Sequence, residues 1–281
     1  MRMRGGFTMI TVLWVMTVAS VVAAAGALAG RNAVSATRNR TELERARWTA
    51  QGCAAVVRAD VDDVLANAPT YEDAAMSWRV LPRLASQYAA PTACHVDLTA
   101  AGTRLDINVA SADMLDSALE QVGQSPDAAT AIAASVVQWR ADDAPVASIY
   151  ELARFGVRDD SGLDSLLWAE PGRISLATAS VAVLTLVPGI TRETAERVAA
   201  LRDAGTPVTE IADVFGEVSD ASADEAMMHY SEIVQLTTAD PEAWILTVSS
   251  SSGFPSNAAT VEWRLVRAGK RTIVVRSRTI Y

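Results

Sequence analysis

From Gly5 to Gly30 the chain runs for 26 residues without a single charge. As a helix rising 1.5 Å per residue this run would extend roughly 39 Å, more than the hydrocarbon core of a bilayer requires. Beyond it the pattern turns amphipathic: Arg31, Arg38, Arg40, Glu42, Glu44, Arg45 and Arg47 stand among apolar residues, and no proline interrupts the chain from Phe7 to Ala68. One long helix can therefore cross both regions. Leu43, Ala46, Ala50, Cys53, Ala54 and Val57 recur at three or four residues, which predicts a face lying against a globular head while the arginines stay solvated.

Further along, the period changes to two. Cys94 to Thr99 and Arg104 to Ile107 alternate around Gly102 and predict a hairpin, while Trp244 to Ser249, Ala259 to Val266 and Thr272 to Thr279 predict three more strands. Thr260, Glu262 and Arg264 set against Val261, Trp263 and Leu265 give the alternation of an antiparallel sheet with one buried and one wet face. Between these flanks the pattern is helical and repeats itself. Trp139-Arg140, Pro145-Val146 and Ile149 are echoed 62 residues later by Leu201-Arg202, Pro207-Val208 and Ile211. Leu105 to Ala112 and Arg173 to Ser180 extend the alignment after a two-residue gap, with Ser111 or Thr178 placed to cap the helix that follows and Leu115 and Leu184 placed to be buried. The fold class is thus α+β: a long N-terminal helix and an antiparallel sheet split by an inserted all-α region of two related units, about 105–165 and 173–235.

Composition narrows the function. A chain of 281 residues that is half apolar can pack a core, and its 33 Asp and Glu against 24 Lys and Arg give a net charge of −9, unsuited to wrapping nucleic acid. Two cysteines and two histidines are too few for a zinc module. No Gly-rich phosphate loop, nucleophile elbow or His-Glu-x-x-His motif occurs, and His95 and His229 read as ordinary structural or surface residues, so no catalytic residue is assigned. Cys53 on the helix and Cys94 on the first strand can form a disulfide or remain two buried thiols. Asp159, Asp160, Ser161, Gly162 and Asp164, and Asp142 with Asp143 at the equivalent of Asp203, are hard oxygen donors that suit calcium or solvated turns, but they lack the spacing of an EF-hand. The tryptophans, including Trp139, Trp168 and Trp263, read as core or interface anchors.

In the second unit, Leu184 to Thr191 places Pro188, Gly189 and Ile190 at a turn between two helical patterns, a helix-hairpin-helix pattern that in other proteins points backbone amides at phosphate. The membrane-anchored competence receptors for DNA carry a similar motif. Here Thr191 stands where the hairpin's second glycine is usual, Glu193 and Glu196 follow, and residues 105–240 hold 23 acids against 7 arginines. The hairpin is therefore read as structural.

Arg2 and Arg4, then Gly5-Gly6, then Phe7 ahead of the apolar run resemble a type IV prepilin leader. The resemblance implies cleavage between Gly6 and Phe7 by a prepilin peptidase, methylation of Phe7, and retention of the apolar helix. A secretory signal cut after Ala27-Leu28-Ala29 is the plainer alternative. The glutamate usual at the fifth mature position is replaced by Thr11, and within the type II secretion family the K-type minor pseudopilin characteristically lacks it. The order of leader, apolar helix, sheet, duplicated helical part and closing strands is similar to that family over essentially the whole chain.

The resemblance implies a leader at 1–6, a transmembrane helix at 7–30, a stem and first strands at 31–109, a helical insertion at 110–239 and closing strands at 240–281. It further implies a non-enzymatic protein of the inner membrane, single-pass, with its C-terminal part in the periplasm. Its work would be to initiate or cap the pseudopilus with the I-type and J-type minor pseudopilins and the inner-membrane secretion platform. No cofactor is implied beyond the calcium some relatives hold. A minor pilin of a type IV pilus would share the leader and helix but not the duplicated insertion.

Overall fold

The computed structural model describes residues 5–82, 94–142, 144–157, 162–253 and 257–280. Helix α1 runs unbroken from Gly5 to Asn67, about 94 Å at 1.5 Å per residue. It stops before Pro69, which cannot continue a helix and disfavours helical backbone just ahead of it. Its upper half buries Ala46, Ala50, Cys53, Ala54, Val57, Val61 and Leu65, so the face foreseen from the spacing is the one that meets the head. Helix α2 (Tyr71–Arg79) opens with a capping box: Asp73 N donates to Thr70 Oγ1 at 3.0 Å and Thr70 N to the Asp73 carboxylate at 3.1 Å.

Strand β1 (Cys94–Ala100) follows, and then the chain leaves the sheet. The elements of the excursion are β2 (Leu105–Asp106), α3 (Ala112–Gln121), α4 (Pro126–Asp142), β3 (Leu167–Trp168), β4 (Ile174–Ser175), α5 (Val181–Leu184), α6 (Arg192–Asp203), α7 (Asp220–Met228), α8 (Tyr230–Leu236) and β5 (Thr237–Thr238). The chain returns as β6 (Ala243–Ser252), β7 (Asn257–Ala268) and β8 (Arg271–Ile280), and the four long strands form one antiparallel sheet in the order β1-β6-β7-β8. One sheet face packs Trp244, Leu246, Val248, Val261 and Leu265 onto α1. Trp78 Nε1 donates to Pro241 O at 2.8 Å and Trp244 Nε1 to Trp78 O at 3.0 Å, with the two rings edge to face.

The hairpin expected of Cys94–Thr99 and Arg104–Ile107 does not form. β1 pairs along its whole length with β6, from Cys94 opposite Ser250 to Ala100 opposite Trp244, whereas β2 pairs in parallel with β3. Gly102, at φ +85°, turns the chain away, and a Cβ there would lie 2.1 Å from Arg173 O. Leu105 and Ile107 are then fully buried in the core of the helical part. Alternation reports which residues share a face, not which strand lies alongside.

The two helical units repeat in three dimensions. Each opens with a two-residue strand that pairs in parallel with the strand closing it, β2 with β3 and β4 with β5. In both, two successive amides then turn back onto one carbonyl: Val109 and Ala110 donate to Asp106 O, Thr178 and Ala179 to Ser175 O. Ser111 caps α3 through Met114 N, and the corresponding cap of α5 is Ser180, which accepts from Val183 N. Thr178 is not the cap; its hydroxyl is buried without a hydrogen-bond partner among the described residues.

Leu105 therefore corresponds to Ile174, an offset of 69 that exceeds the later 62 by seven residues, not two. The shortening of α3 from ten residues to the four of α5 accounts for most of it. Leu115 and Leu184 are both buried. Arg140 donates to Ala110 O at 2.8 Å and also to Ile107 O, and Arg202, its echo, donates to Ala179 O at 2.7 Å. A duplicated arginine thus ties the last helix of each pair to the opening turn of its own unit.

Candidate functional site: the stem and the surfaces of the head

Every described side chain from Met9 to Thr41 is exposed, among them Met9, Ile10, Leu13, Trp14, Val15 and Met16 at 63 to 72%. An apolar surface of this extent is not left to water in a folded protein. Thr17 Oγ1 donates to Leu13 O at 2.8 Å and Ser20 Oγ to Met16 O at 2.8 Å, so these hydroxyls find their acceptors inside the helix, as a lipid surrounding demands. The helix is long and apolar enough to cross a membrane, with none of its most apolar window covered by the rest of the chain. Gly6 and Phe7 fall in its first turn; Arg2 and Arg4 lie outside the described residues.

The head grips the helix from Glu42 upward. Ser252 Oγ donates to the Glu42 carboxylate at 2.6 Å and Arg45 to its other oxygen at 2.8 Å. The serine's hydrogen bond is the main reason the Glu42 carboxyl is held below the usual range, and burial opposes it. Between five and six turns higher, Asp62 Oδ1 accepts from Thr272 N at 2.5 Å and from its hydroxyl at 2.7 Å. Cys53 and Cys94 are joined as a disulfide with Cα atoms 6.6 Å apart, fixing the start of β1 to the stem. On its outer side at head level α1 exposes Trp48 and Val56 at 66% and 47%.

The Pro188-Gly189-Ile190 turn lies between α5 and α6. Gly189 takes φ +82°, and a Cβ there would stand 2.4 Å from the His229 Cβ, so the tip presses against the junction of α7 and α8. Ile190 N is already bonded to Val187 O at 3.0 Å. Glu193, in the first turn of α6, accepts from Ser219 N at 2.8 Å, Ser219 Oγ at 2.5 Å and Ser222 Oγ at 2.7 Å. Its carboxylate thereby sits at the N-terminal end of α7, where backbone amides favour an anion. The Ser219 and Ser222 hydroxyls hold it below the usual carboxylate range. The anion position beside this hairpin is filled by the chain's own glutamate. His229 lies 3.4 Å from Glu232 and 3.6 Å from Glu225.

The sheet face opposite α1 is not wet throughout, as the alternation of Thr260, Glu262 and Arg264 suggested. β3 and the segment after it cover it: Trp168 packs with Ala243 and Ile245, and Glu170 comes down among Arg264, Arg276 and Arg278. Arg276 is bonded to Glu170; Arg278 lies 2.7 Å from Glu262, and Arg264 Nη1 3.8 Å from Glu170 Oε2. Glu170 and Glu262 are 7% and 9% exposed. A register shift between Arg264 and Leu265 lets β8 keep Arg276 and Arg278 on this face beside Glu262. Beside this clasp a cleft of about 270 Å³ opens between sheet and first unit, with Arg104, Tyr150 and Trp168 in its wall.

Of the acids suited to calcium, Asp143, Asp159, Asp160 and Ser161 lie outside the described residues. Among those described, no three His, Cys, Asp or Glu side chains gather into a metal-holding group. Trp168 is core, Trp139 and Trp263 are partly buried, and Trp14 and Trp48 are exposed. Sequence reading missed the clasp and the seat of Glu193, although the pair Arg276 and Arg278, two apart on one strand opposite Glu262, carried the signal for the first.

No protein-family model matches the chain, and no curated protein matches it. Among solved structures it is similar to a chain of the GspK-GspI-GspJ complex of the type 2 secretion system of enterotoxigenic Escherichia coli. The TM-score is 0.55 at 14% identity, over 87% of this chain and 99% of that one. At this identity the likeness speaks for the fold, which is pilin-like: a long N-terminal helix under an antiparallel sheet that carries a helical region.

Proposed function

We propose that the chain is a K-type minor pseudopilin of a type II secretion system. In this reading α1 holds it in the inner membrane, a prepilin peptidase cuts between Gly6 and Phe7, and it starts or caps the periplasmic pseudopilus with I-type and J-type minor pseudopilins. The observation that carries the reading is the stem. Thirty-odd residues of exposed helix, apolar for most of their length, project from a head that leaves them uncovered, and such a surface is buried either in lipid or among like helices. The likeness to a chain of a complex of three secretion-system proteins supports partners of that kind.

The helical insertion supports the capping role through bulk: Trp168 and Glu170 cover part of the sheet face away from α1, and the second unit lies beside α2 and Trp244. Helical bundles that do no chemistry suit such work, and the protein is read as a component of an assembly rather than an enzyme. The covered tip at Gly189 and the self-filled anion position at Glu193 speak against the DNA-receptor alternative. Arg31, Arg38 and Arg40 outnumber Arg2 and Arg4 across the apolar run, so charge bias alone would not send the head outward. The Cys53–Cys94 bond favours an oxidising compartment.

The test is mass spectrometry of the mature chain, followed by co-purification with the I-type and J-type proteins of the same secretion system. A methylated Phe7 terminus and a ternary complex are expected. A chain beginning at Gly30, or a mature chain that joins neither partner, would refute the reading.

A further inference from the structure

The eleven residues between the uncharged run and the head form a neck. From Arg31 to Thr41 the helix is wholly exposed, and the head's first contact is at Glu42, about 16 Å above Arg31. No acidic residue occurs anywhere from Met1 to Thr41. Of the six arginines on α1, Arg45, Arg47 and Arg58 pair with Glu42, Glu44 and Asp62 at 2.8, 3.6 and 3.7 Å. Arg31, Arg38 and Arg40 have no ion pair among the described residues, although Arg38 lies in the field of Glu42. In a chain with a net charge of −9, this is a local excess of three positive charges next to the segment that would lie in lipid.

With residues 5–30 centred in a bilayer, Arg31 stands about 20 Å from the midplane, beyond the hydrocarbon edge at about 15 Å and inside the polar layer that ends near 20–22 Å. Arg38 is about 10 Å higher and only about 20° round the helix from Arg31, and Arg40 lies on the opposite side. Side chains on a helix lean toward its N-terminus, which here means toward the membrane. The long apolar arms of arginine let the guanidinium reach back to the headgroups, and Arg38 and Arg40 also lie near one Debye length, about 8–10 Å, of the surface. Guanidinium is moreover the side chain best matched to phosphate geometry.

We propose that the neck is a phosphate clamp, in which Arg31, backed by Arg38 and Arg40, binds the headgroups of anionic phospholipids in the leaflet facing the head. The clamp fixes how deep the stem sits and hence how high the head is carried. It rests on the membrane placement of α1 proposed above but not on any partner protein.

The experiment uses the full chain in vesicles and measures the association of spin-labelled phosphatidylglycerol relative to spin-labelled phosphatidylcholine. A preference for phosphatidylglycerol is expected. Arg31→Gln should cut it about fivefold, and Arg31→Gln/Arg38→Gln/Arg40→Gln should remove it. Arg45→Gln/Arg47→Gln, higher on the stem and already paired, should leave it unchanged. All these positions are on the exposed or half-buried stem, and retention of helix content and of the Cys53–Cys94 bond checks folding. Equal association of the two lipids with the unaltered chain, persistence of the preference in the triple variant, or its loss in the Arg45/Arg47 control would overturn the clamp. Loss of the preference on replacing chloride by inorganic phosphate at equal ionic strength would assign the arginines to free phosphate and overturn it as well. Failure of the chain to float with vesicles would overturn the membrane reading itself, whereas flotation without lipid preference sinks only the clamp.

Discussion

Replacing Glu170 by Gln asks whether burial or mere proximity decides the worth of an ion pair. Glu170 is 7% exposed and faces three guanidiniums, of which Arg264 has a side chain only 12% exposed. Burial pushes the Arg264 guanidinium below its usual range, and Glu170 is the leading influence that opposes this. Without its charge, Glu262 would still pair with Arg276 and Arg278, whereas Arg264 would be left to the weaker influences of Glu242 and Asp106. Breaking a buried pair by removing one partner typically costs about 3–5 kcal/mol, because the remaining charge has lost water without gaining a partner. Arg276 and Arg278 are more open, at 36% and 47% side-chain exposure, so the lower end, about 3 kcal/mol, is expected here.

The comparison is Glu196→Gln. Its pair with Arg192 is 2.8 Å long but 55% and 83% exposed, and pairs of that kind contribute about 0.5 kcal/mol or less. Urea unfolding of the full chain in detergent, followed by tryptophan fluorescence with Trp168 close to the clasp, measures both. If Glu170→Gln shifts the stability no more than Glu196→Gln does, the clasp is screened by water and the argument from burial is wrong.

Ala in place of Gly123 (φ +86°, open space around it) should cost about 1 kcal/mol. The same change at Gly189, where the new Cβ meets His229, should cost about 3 kcal/mol once overpacking is added; equal losses by thermal unfolding would refute the packing described. Reducing the disulfide, which spans 41 residues, should lower stability by about 4 kcal/mol on the chain-entropy estimate, read by urea titration with and without reductant. Burial raises the Asp106 carboxyl above its usual range, so the folded state holds that proton more tightly. Its contribution is present in acid and is lost as pH rises through the raised folded value. Asp106→Asn should accordingly gain stability over the unaltered chain between acid and neutral pH, and a gap that does not widen with pH would count against it. Finally, a chain lacking residues 102–242, with Ala101 joined to Ala243 through Asn-Gly, should keep its sheet, its disulfide and its membrane insertion, checked by circular dichroism and flotation.

Local patterns carried the helices and strands because each is a statement about one segment. The buried stripe of α1, the antiparallel strands β6 to β8 and the burial of Leu115 and Leu184 all follow from spacing. What escaped the sequence is relational. Alternation placed Leu105 and Ile107 in a strand but could not tell that Gly102 delivers them to the helical core. Thr178 and Ser180 are both good caps, and only the turn of Thr178 N and Ala179 N onto Ser175 O selects the second. Glu262 and Arg264 look like solvent-facing residues until Trp168 and Glu170 arrive from nearly a hundred residues away. In the site, the uncharged run was legible, whereas the seat of Glu193 at α7 required the fold.

Ala101 and Ala243, where the chain leaves and rejoins the sheet, are neighbours: Ala101 N donates to Ala243 O at 2.8 Å. A pull applied along the stem is therefore transmitted through α1, the Cys53–Cys94 bond and the four strands, and it has no lever arm with which to stretch the 141 residues between those two alanines. Away from the Glu170 clasp, the helical part travels as an unstressed passenger whose shape can vary without altering the shaft that carries it.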